Sequence, residues 1–353
     1  MPKTKHFLSV ISAFFLISIS CTSINELYSE FVQKESVKLK TVRKIKTLCP
    51  TNLKMVGSHL VLVNDCGDNA LQIIDTQDWS EHWIGTRGGG PSELGQFIDV
   101  LDGSYKPKSL KEQLFVDVHK RNTFYVEQNA GAFKIVNVGK LPKQAFLWEN
   151  LMKTNNGWAL NDLNGRTFLT IIDENEEVIL NDEFAPVLSQ SLPTRTRGYV
   201  YYSTMAYNAE RDLVVSGLRN FPYLAIYNSA GEKINSLKTH AQLEYPVFNN
   251  DNGVPIGDDA IFFYLQTIPT PKYIFALRSN TTRKRINQGG SFEPVLEIYD
   301  WGLKPLAELS FDDSFGQLAI DYKNKLIYGF SFKNENHAVR VAEIPESFYQ
   351  YFN

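Results

Sequence analysis

Asp117 and His119 stand two residues apart at the end of the apolar run Gln113-Leu-Phe-Val-Asp117. Alternate residues of an extended chain share a side, so the two could work as an acid–base couple. Asp65, Asp117 and Asn208 each follow a strand-like run, and oxygen ligands placed so could hold a divalent ion. Gly88, Gly89 and Gly90 permit backbone angles closed to other residues, and Pro91 then stiffens the exit. Arg87 and Glu93 flank them. The amides of such a turn, helped by Arg87, could cradle a phosphate or carboxylate. A structural crossover with Arg87 paired to Glu93 is the preferred reading, because the Gly-Lys-Ser/Thr ending of a phosphate loop is missing. Two clusters, Arg195-Thr-Arg197-Gly-Tyr-Val-Tyr-Tyr202 and Arg219-Asn-Phe-Pro-Tyr223, suit a partner interface or sugar stacking. Packed strands with arginines at their ends are the alternative. No G-x-S-x-G, H-E-x-x-H or C-x-x-C is present, and the histidines at 59, 82, 119, 240 and 337 are scattered. No catalytic residue, metal or cofactor is therefore assigned.

The N-terminus speaks to location. Lys3 and Lys5 precede Phe7-Leu-Ser-Val-Ile-Ser-Ala-Phe-Phe-Leu-Ile-Ser-Ile19, a run too short for a helix that needs roughly 20 apolar residues to span a bilayer. It has the proportions of a secretory signal. Ser18-Ile-Ser-Cys21 resembles the lipobox of bacterial lipoproteins, which implies diacylation of Cys21 and anchoring to a membrane. Ordinary secretory cleavage, for which Ser18 and Ser20 are also small enough, is the alternative. Thr22, Ser23, Ile24 and Asn25 separate Cys21 from Glu26. With no acidic run after the cysteine, the periplasmic side is favoured over the cell surface.

Without residues 1–20 the chain carries 34 basic and 39 acidic side chains, a mild excess that offers nothing to nucleic acid. The content of 43% hydrophobic and 13% aromatic residues supports a packed core, and 17 Tyr with 23 Phe favour strands. With Cys21 lipidated, Cys49 and Cys66 remain. They could close a 17-residue loop as a disulfide, worth ~3 kcal/mol, or stay as two buried thiols.

These residues need a scaffold, and the chain supplies strands. Residues 21–36 read as a tether. Beyond Val37, short β-branched and aromatic runs alternate with Asn, Asp and Gly clusters, and long amphipathic helical patterns are nearly absent. Strands ending in Asp or Asn recur at Asp75, Asp173, Asn228 and Asp300, with a weaker copy near Tyr125-Val-Glu127. The implied period near 50 residues, with an inserted hairpin in the last interval, divides residues 37–353 into six units. That predicts an all-β, six-bladed β-propeller with four-stranded blades, in preference to a pair of sandwiches or a large barrel. Val37-Lys-Leu-Lys-Thr-Val42 is expected to complete the last blade beside the C-terminal strands. Thr281–Gly290 reads as an exposed hairpin tip.

The stretch Trp83-Ile-Gly-Thr-Arg-Gly-Gly-Gly-Pro-Ser-Glu-Leu-Gly-Gln-Phe97 resembles the G-x-x-G-x-G-P-x-E-F turn of Bacteroidetes-type TolB-like or NHL-like six-bladed propeller lipoproteins. Gly85, Gly88, Gly90, Pro91 and Glu93 match, with Leu94 where the pattern has an aromatic residue. The resemblance implies the propeller and no particular activity. The expected function is a lipid-anchored binding or scaffold module for an envelope protein or glycan. The alternative is a metal-dependent lactonase or lyase acting at the channel mouth.

Overall fold

His59-Leu-Val-Leu-Val63 is apolar at every position after the histidine, so both faces of that strand need cover. A ring of radially packed sheets supplies it, each sheet lying between two neighbours. The computed structural model describes residues 30–44, 49–90, 92–95, 97–101, 106–143, 151–162, 164–240, 242–256, 260–290, 293–331 and 338–353. The leader, Cys21, Pro91 and His337 lie outside the described residues.

The described chain opens with β1 (Gln33–Val37) and β2 (Lys40–Lys44). Blade 1 follows with β3 (Pro50–Val56), β4 (His59–Asn64), β5 (Asn69–Asp75) and β6 (Glu81–Thr86). Blade 2 has β7 (Ile98–Leu101), β8 (Leu114–Asp117), β9 (Asn122–Asn129) and β10 (Ala132–Lys140). Blade 3 has β11 (Leu151–Thr154), β12 (Gly157–Asn161), β13 (Leu169–Asp173) and β14 (Val178–Asn181). After helix α1 (Thr194–Val200), blade 4 runs through β15 (Ser203–Asn208), β16 (Leu213–Leu218), β17 (Tyr223–Asn228) and β18 (Lys233–Lys238). A small hairpin, β19 (Val247–Phe248) with β20 (Pro255–Ile256), lies in the crossover to blade 5. Blade 5 comprises β21 (Tyr264–Pro269), β22 (Tyr273–Ser279), β23 (Pro294–Asp300) and β24 (Pro305–Phe311), with helix α2 (Arg283–Asn287) between β22 and β23. Blade 6 has β25 (Leu318–Asp321), β26 (Leu326–Ser331) and β27 (Ala338–Glu343).

Every blade is an antiparallel meander, and the first strand of each lies innermost. Six hydrophobic clusters correspond to six interfaces. Val61 and Val63 face blade 2 beside Phe115 and Phe124, whereas Leu60 and Leu62 of the same strand face blade 6 beside Tyr328 and Phe330. The period-two alternation thus serves two neighbours at once. Further clusters fill the boundaries of blades 2 and 3, 3 and 4, 4 and 5, and 5 and 6. The ring is closed.

Closure uses the N-terminal segment. β2 pairs antiparallel with β27 as the fourth strand of blade 6, so the clasp falls on Lys40–Lys44, a shift from the expected Val37–Val42. Upstream, β1 adds a fifth, parallel strand to blade 5 beside β24. Among the described residues strand structure therefore begins at Gln33, within the stretch read as tether.

The Asp and Asn markers have a physical basis. Asp75, Asp173, Asn228 and Asp300 each end the third strand of a blade, where their side chains accept turn amides. Asp300 Oδ1 takes those of Gly302 at 2.8 Å and Lys304 at 2.9 Å, and Asp173 Oδ1 those of Asn175 at 2.8 Å and Glu177 at 2.7 Å. Such Asx turns need no tertiary partner. The Tyr125–Glu127 copy lies in β9, the third strand of blade 2. Blade 6 carries no such marker because its fourth strand comes from the other end of the chain.

Two expectations are corrected. The Arg195–Tyr202 cluster forms α1 and the turn after it, not a packed strand, and the 281–290 segment holds α2, capped by Thr282 Oγ1, in place of a bare hairpin tip.

Candidate functional site

Alternating strand direction puts the start of each inner strand, the end of each second strand and the crossover from the preceding blade at one mouth of the channel. Thr51, Phe97, Tyr202, Leu265 and Gln317 ring this mouth, and Asp65 and Val118 reach it from turns. With Asn52, Lys54, Asp99 and Thr204 they line a cavity of about 320 Å³. Polar side chains lock its wall. Gln266 donates to Leu318 O at 3.1 Å and accepts from Leu318 N at 2.9 Å, tying blade 5 to blade 6. Gln317 donates to Thr51 O, joining blade 6 to blade 1. Asn52 Nδ2 donates to Asp99 Oδ1 at 3.1 Å, joining blade 1 to blade 2. A wall fixed by such bonds is pre-organised for binding.

Cys49 and Cys66 are bonded to each other, with Cα atoms 5.5 Å apart. The bond joins the start of β3 to the turn after β4, and the Asp65 amide donates to Cys49 O at 2.9 Å. Asp65 is exposed at the mouth. Partial burial of its carboxyl pushes its pKa up, while the Arg87 guanidinium works in the opposite direction.

The glycine-rich stretch is the crossover from β6 to β7. Arg87 Nη1 donates to Gly95 O at 2.8 Å and Nη2 to Asn64 O. The Glu93 carboxylate folds back into the turn, where Oε2 accepts from Gly90 N at 2.5 Å. A Cβ at Gly88 would lie 2.1 Å from Glu93 Oε2. The amide cradle is thus filled by the chain's own carboxylate. Lys120 Nζ caps it, donating at 2.6 Å to both Gly90 O and Glu93 O. Gly85 has a φ of 74°, and a side chain there would strike Leu94 at 2.6 Å.

Asp117 is buried, and its oxygens accept from Gly95 N at 2.7 Å and Lys120 N at 2.8 Å. His119 is exposed, its Cβ packed against Gly95. The aspartate holds the turn together. A Cβ at Gly95 would come within 2.6 Å of both Asp117 Oδ1 and His119 Cβ. Gly95→Ala is accordingly expected to lower stability by roughly 1–3 kcal/mol, measured by urea unfolding.

Asn208 lies at the far end of β15, away from this mouth. It donates to Thr270 O at 2.8 Å and accepts from Glu210 N at 3.0 Å. Asp65, Asp117 and Asn208 are therefore not brought to one site, and no three His, Cys, Asp or Glu among the described residues could share a metal ion.

Arg219 follows β16 at the mouth. Its guanidinium lies 5.6 Å from the ring centroids of both Tyr202 and Phe262, and Arg283 lies over Phe262 at 5.7 Å. Tyr223, by contrast, is buried in the interface of blades 3 and 4. Arg197 stacks on Phe184 at 4.9 Å, and Arg195 is exposed on α1.

Sequence reading missed a buried ion cluster in blade 5. Glu297 is fully buried. It accepts from Arg278 Nε at 2.5 Å, Tyr299 OH at 2.6 Å and Tyr264 OH at 3.2 Å, and lies 3.0 Å from His240 Nε2. Burial pushes its pKa up, but Arg278, His240 and Tyr299 outweigh this and hold it at about 2. A lone acid inside Val295-Leu-Glu-Ile-Tyr299 was the available signal, since a buried charge needs partners.

No known protein-family model matches the chain, and no curated protein does. Among solved structures it is similar to a Bacteroides fragilis protein named "Putative exported protein" (13% identity, 89% of this chain, 100% of that one, TM-score 0.50). A member of the DUF4221 family from Bacteroides vulgatus aligns over 86% of this chain and 97% of its own (10% identity, TM-score 0.48). The β-propeller domain of Cps50 (Swd1) from Myceliophteria thermophila aligns over 87% of this chain and 100% of its own (10% identity, TM-score 0.41). At 13% identity the likeness to the exported protein speaks to the fold alone; the six sheets of four or five strands make the chain a six-bladed β-propeller.

Proposed function

We propose that this chain is a lipid-anchored cell-envelope module, of the TolB-like or NHL-like propeller type, that binds a glycan or protein partner at the mouth of its channel. The observation that carries this reading is the polar cavity at the starts of the inner strands, its wall fixed by hydrogen bonds between blades. Its volume matches the low end of small-ligand sites. The disulfide suits an oxidising compartment, and one structural neighbour is itself named as exported. The basic, apolar and Cys21 pattern supports anchoring on the periplasmic side, where a fully acylated cysteine would hold the chain permanently.

Growth of the native bacterium with an alkyne-labelled fatty acid should label the wild-type chain in the membrane fraction and leave Cys21→Ser unlabelled and soluble. An unlabelled wild type would remove the anchor. A photo-crosslinking residue at Phe97 should yield discrete adducts in cells, whereas one at the outer position Val178 should not. Equal behaviour at the two positions would count against a binding site at the mouth.

A further inference from the structure

We propose that the mouth takes a saccharide bearing a carboxylate, such as a uronic acid unit; this rests on the mouth being a binding site and names what it binds. The lining combines two kinds of group. Phe97 is 38% exposed where it lines the cavity, and Tyr202 faces it from the start of β15. Flat apolar rings accept the C–H face of a pyranose and carry a large contact area. Around them stand carboxylates, an amide and hydroxyls: Asp65, Asp99, Gln317, Thr51 and Thr204. A carboxylate accepts from two neighbouring hydroxyls at once, an arrangement that polyols offer and extended apolar ligands do not.

The charge preference comes from Arg219. Its main chain is fixed by bonds to the starts of two blades: its amide donates to Tyr202 O at 2.9 Å, and its carbonyl accepts from Phe263 N at 2.7 Å. The guanidinium is stacked on the same Tyr202 ring that borders the cavity. Its Nε is shielded from solvent and has no hydrogen-bond partner among the described residues. Thr267, only 3% exposed and lining the cavity, has a hydroxyl in the same condition. Thr267 belongs to the cavity wall and Arg219 stacks on a ring that borders it, and an unsatisfied shielded group is costly until it finds a partner. Arginine is suited to carboxylates by its planar, forked donors.

Soluble protein from residue 22 onward, with its disulfide intact, is titrated calorimetrically with digalacturonate and with the neutral disaccharide cellobiose. Digalacturonate is expected to bind and cellobiose to bind at least tenfold more weakly. Arg219→Gln should weaken digalacturonate by about ten- to a hundredfold, the range of a charged hydrogen bond, and leave cellobiose unchanged. Phe97→Ala should weaken both sugars. Equal affinity for the two sugars, or an unaltered Arg219→Gln, would overturn the acidic preference while leaving the mouth a binding site. Binding of neither sugar, with crosslinks still forming at Phe97, would overturn the saccharide and not the site. Loss of both sugar binding and crosslinks would end the two readings together. Thermal unfolding of each variant, unchanged from wild type, separates these results from misfolding.

Discussion

Glu297→Ala is expected to lower folding stability by about 3–5 kcal/mol, the cost of removing one partner of a buried ion pair. Arg278, 7% exposed, would be left with Glu308 at 3.6 Å as its remaining carboxylate, and Tyr299 would lose its acceptor. The same carboxylate sets an acid limit on the fold. Its ordinary value is 4.5, and in the folded chain it is held at about 2. A depressed carboxyl contributes stability that is fully present above the unfolded value and is lost as pH falls through the folded one. The contribution, roughly 3 kcal/mol, should therefore fade between about pH 4.5 and pH 2. Urea unfolding of wild type and Glu297→Gln across that window checks this. The wild type should lose more stability on acidification than the variant; two parallel acid limbs would dismiss the role.

Removing the disulfide should have the next largest effect. The double substitution Cys49→Ser with Cys66→Ser frees a 17-residue loop, and the expected loss is ~3 kcal/mol. The damage should be local as well as global. The bond fixes the first inner strand to the turn that presents Asp65, and the Asp65 amide leans on Cys49 O. Hydrogen exchange should quicken across residues 49–66 while blades 4 and 5 keep their protection. A midpoint within ~0.5 kcal/mol of wild type, a typical surface effect, would show that the loop is held by its strands alone.

The blade count was legible because its markers are local. An Asp or Asn that ends a strand and satisfies its own turn depends on residues within four positions, as Asp300 with Lys304 does. Doubly apolar runs such as His59–Val63 likewise reveal that a strand is covered twice. The mouth was partly legible. Asp65 and Asp117 stand out as following strands, Arg87 and Glu93 as flanking the glycine turn and Arg219 as part of an aromatic and basic cluster, and all lie at that end of the ring. Which of them meets solvent was not readable, since Asp117 and Glu93 spend their oxygens on backbone amides. Asn52, Asp99 and Gln266 gave no local sign, because their partners come from other blades. The helix α1 was hidden for a related reason: its seven residues carry a glycine and three β-branched side chains, a composition poor in helix propensity. Packing decides it. Gly165, at a φ of 69°, lies where a Cβ would come within 1.9 Å of Thr194 O.

The parallel seating of β1 on β24 bears on mechanics. Tension arriving from the N-terminal side would reach β1 first and act along its length. The bonds joining Gln33–Val37 to Ala307–Phe311 would then be strained together in shear rather than peeled singly. Blade 5 so takes up the pull before it can reach β2, the strand that shuts the ring, and a moored propeller could be tugged without springing open.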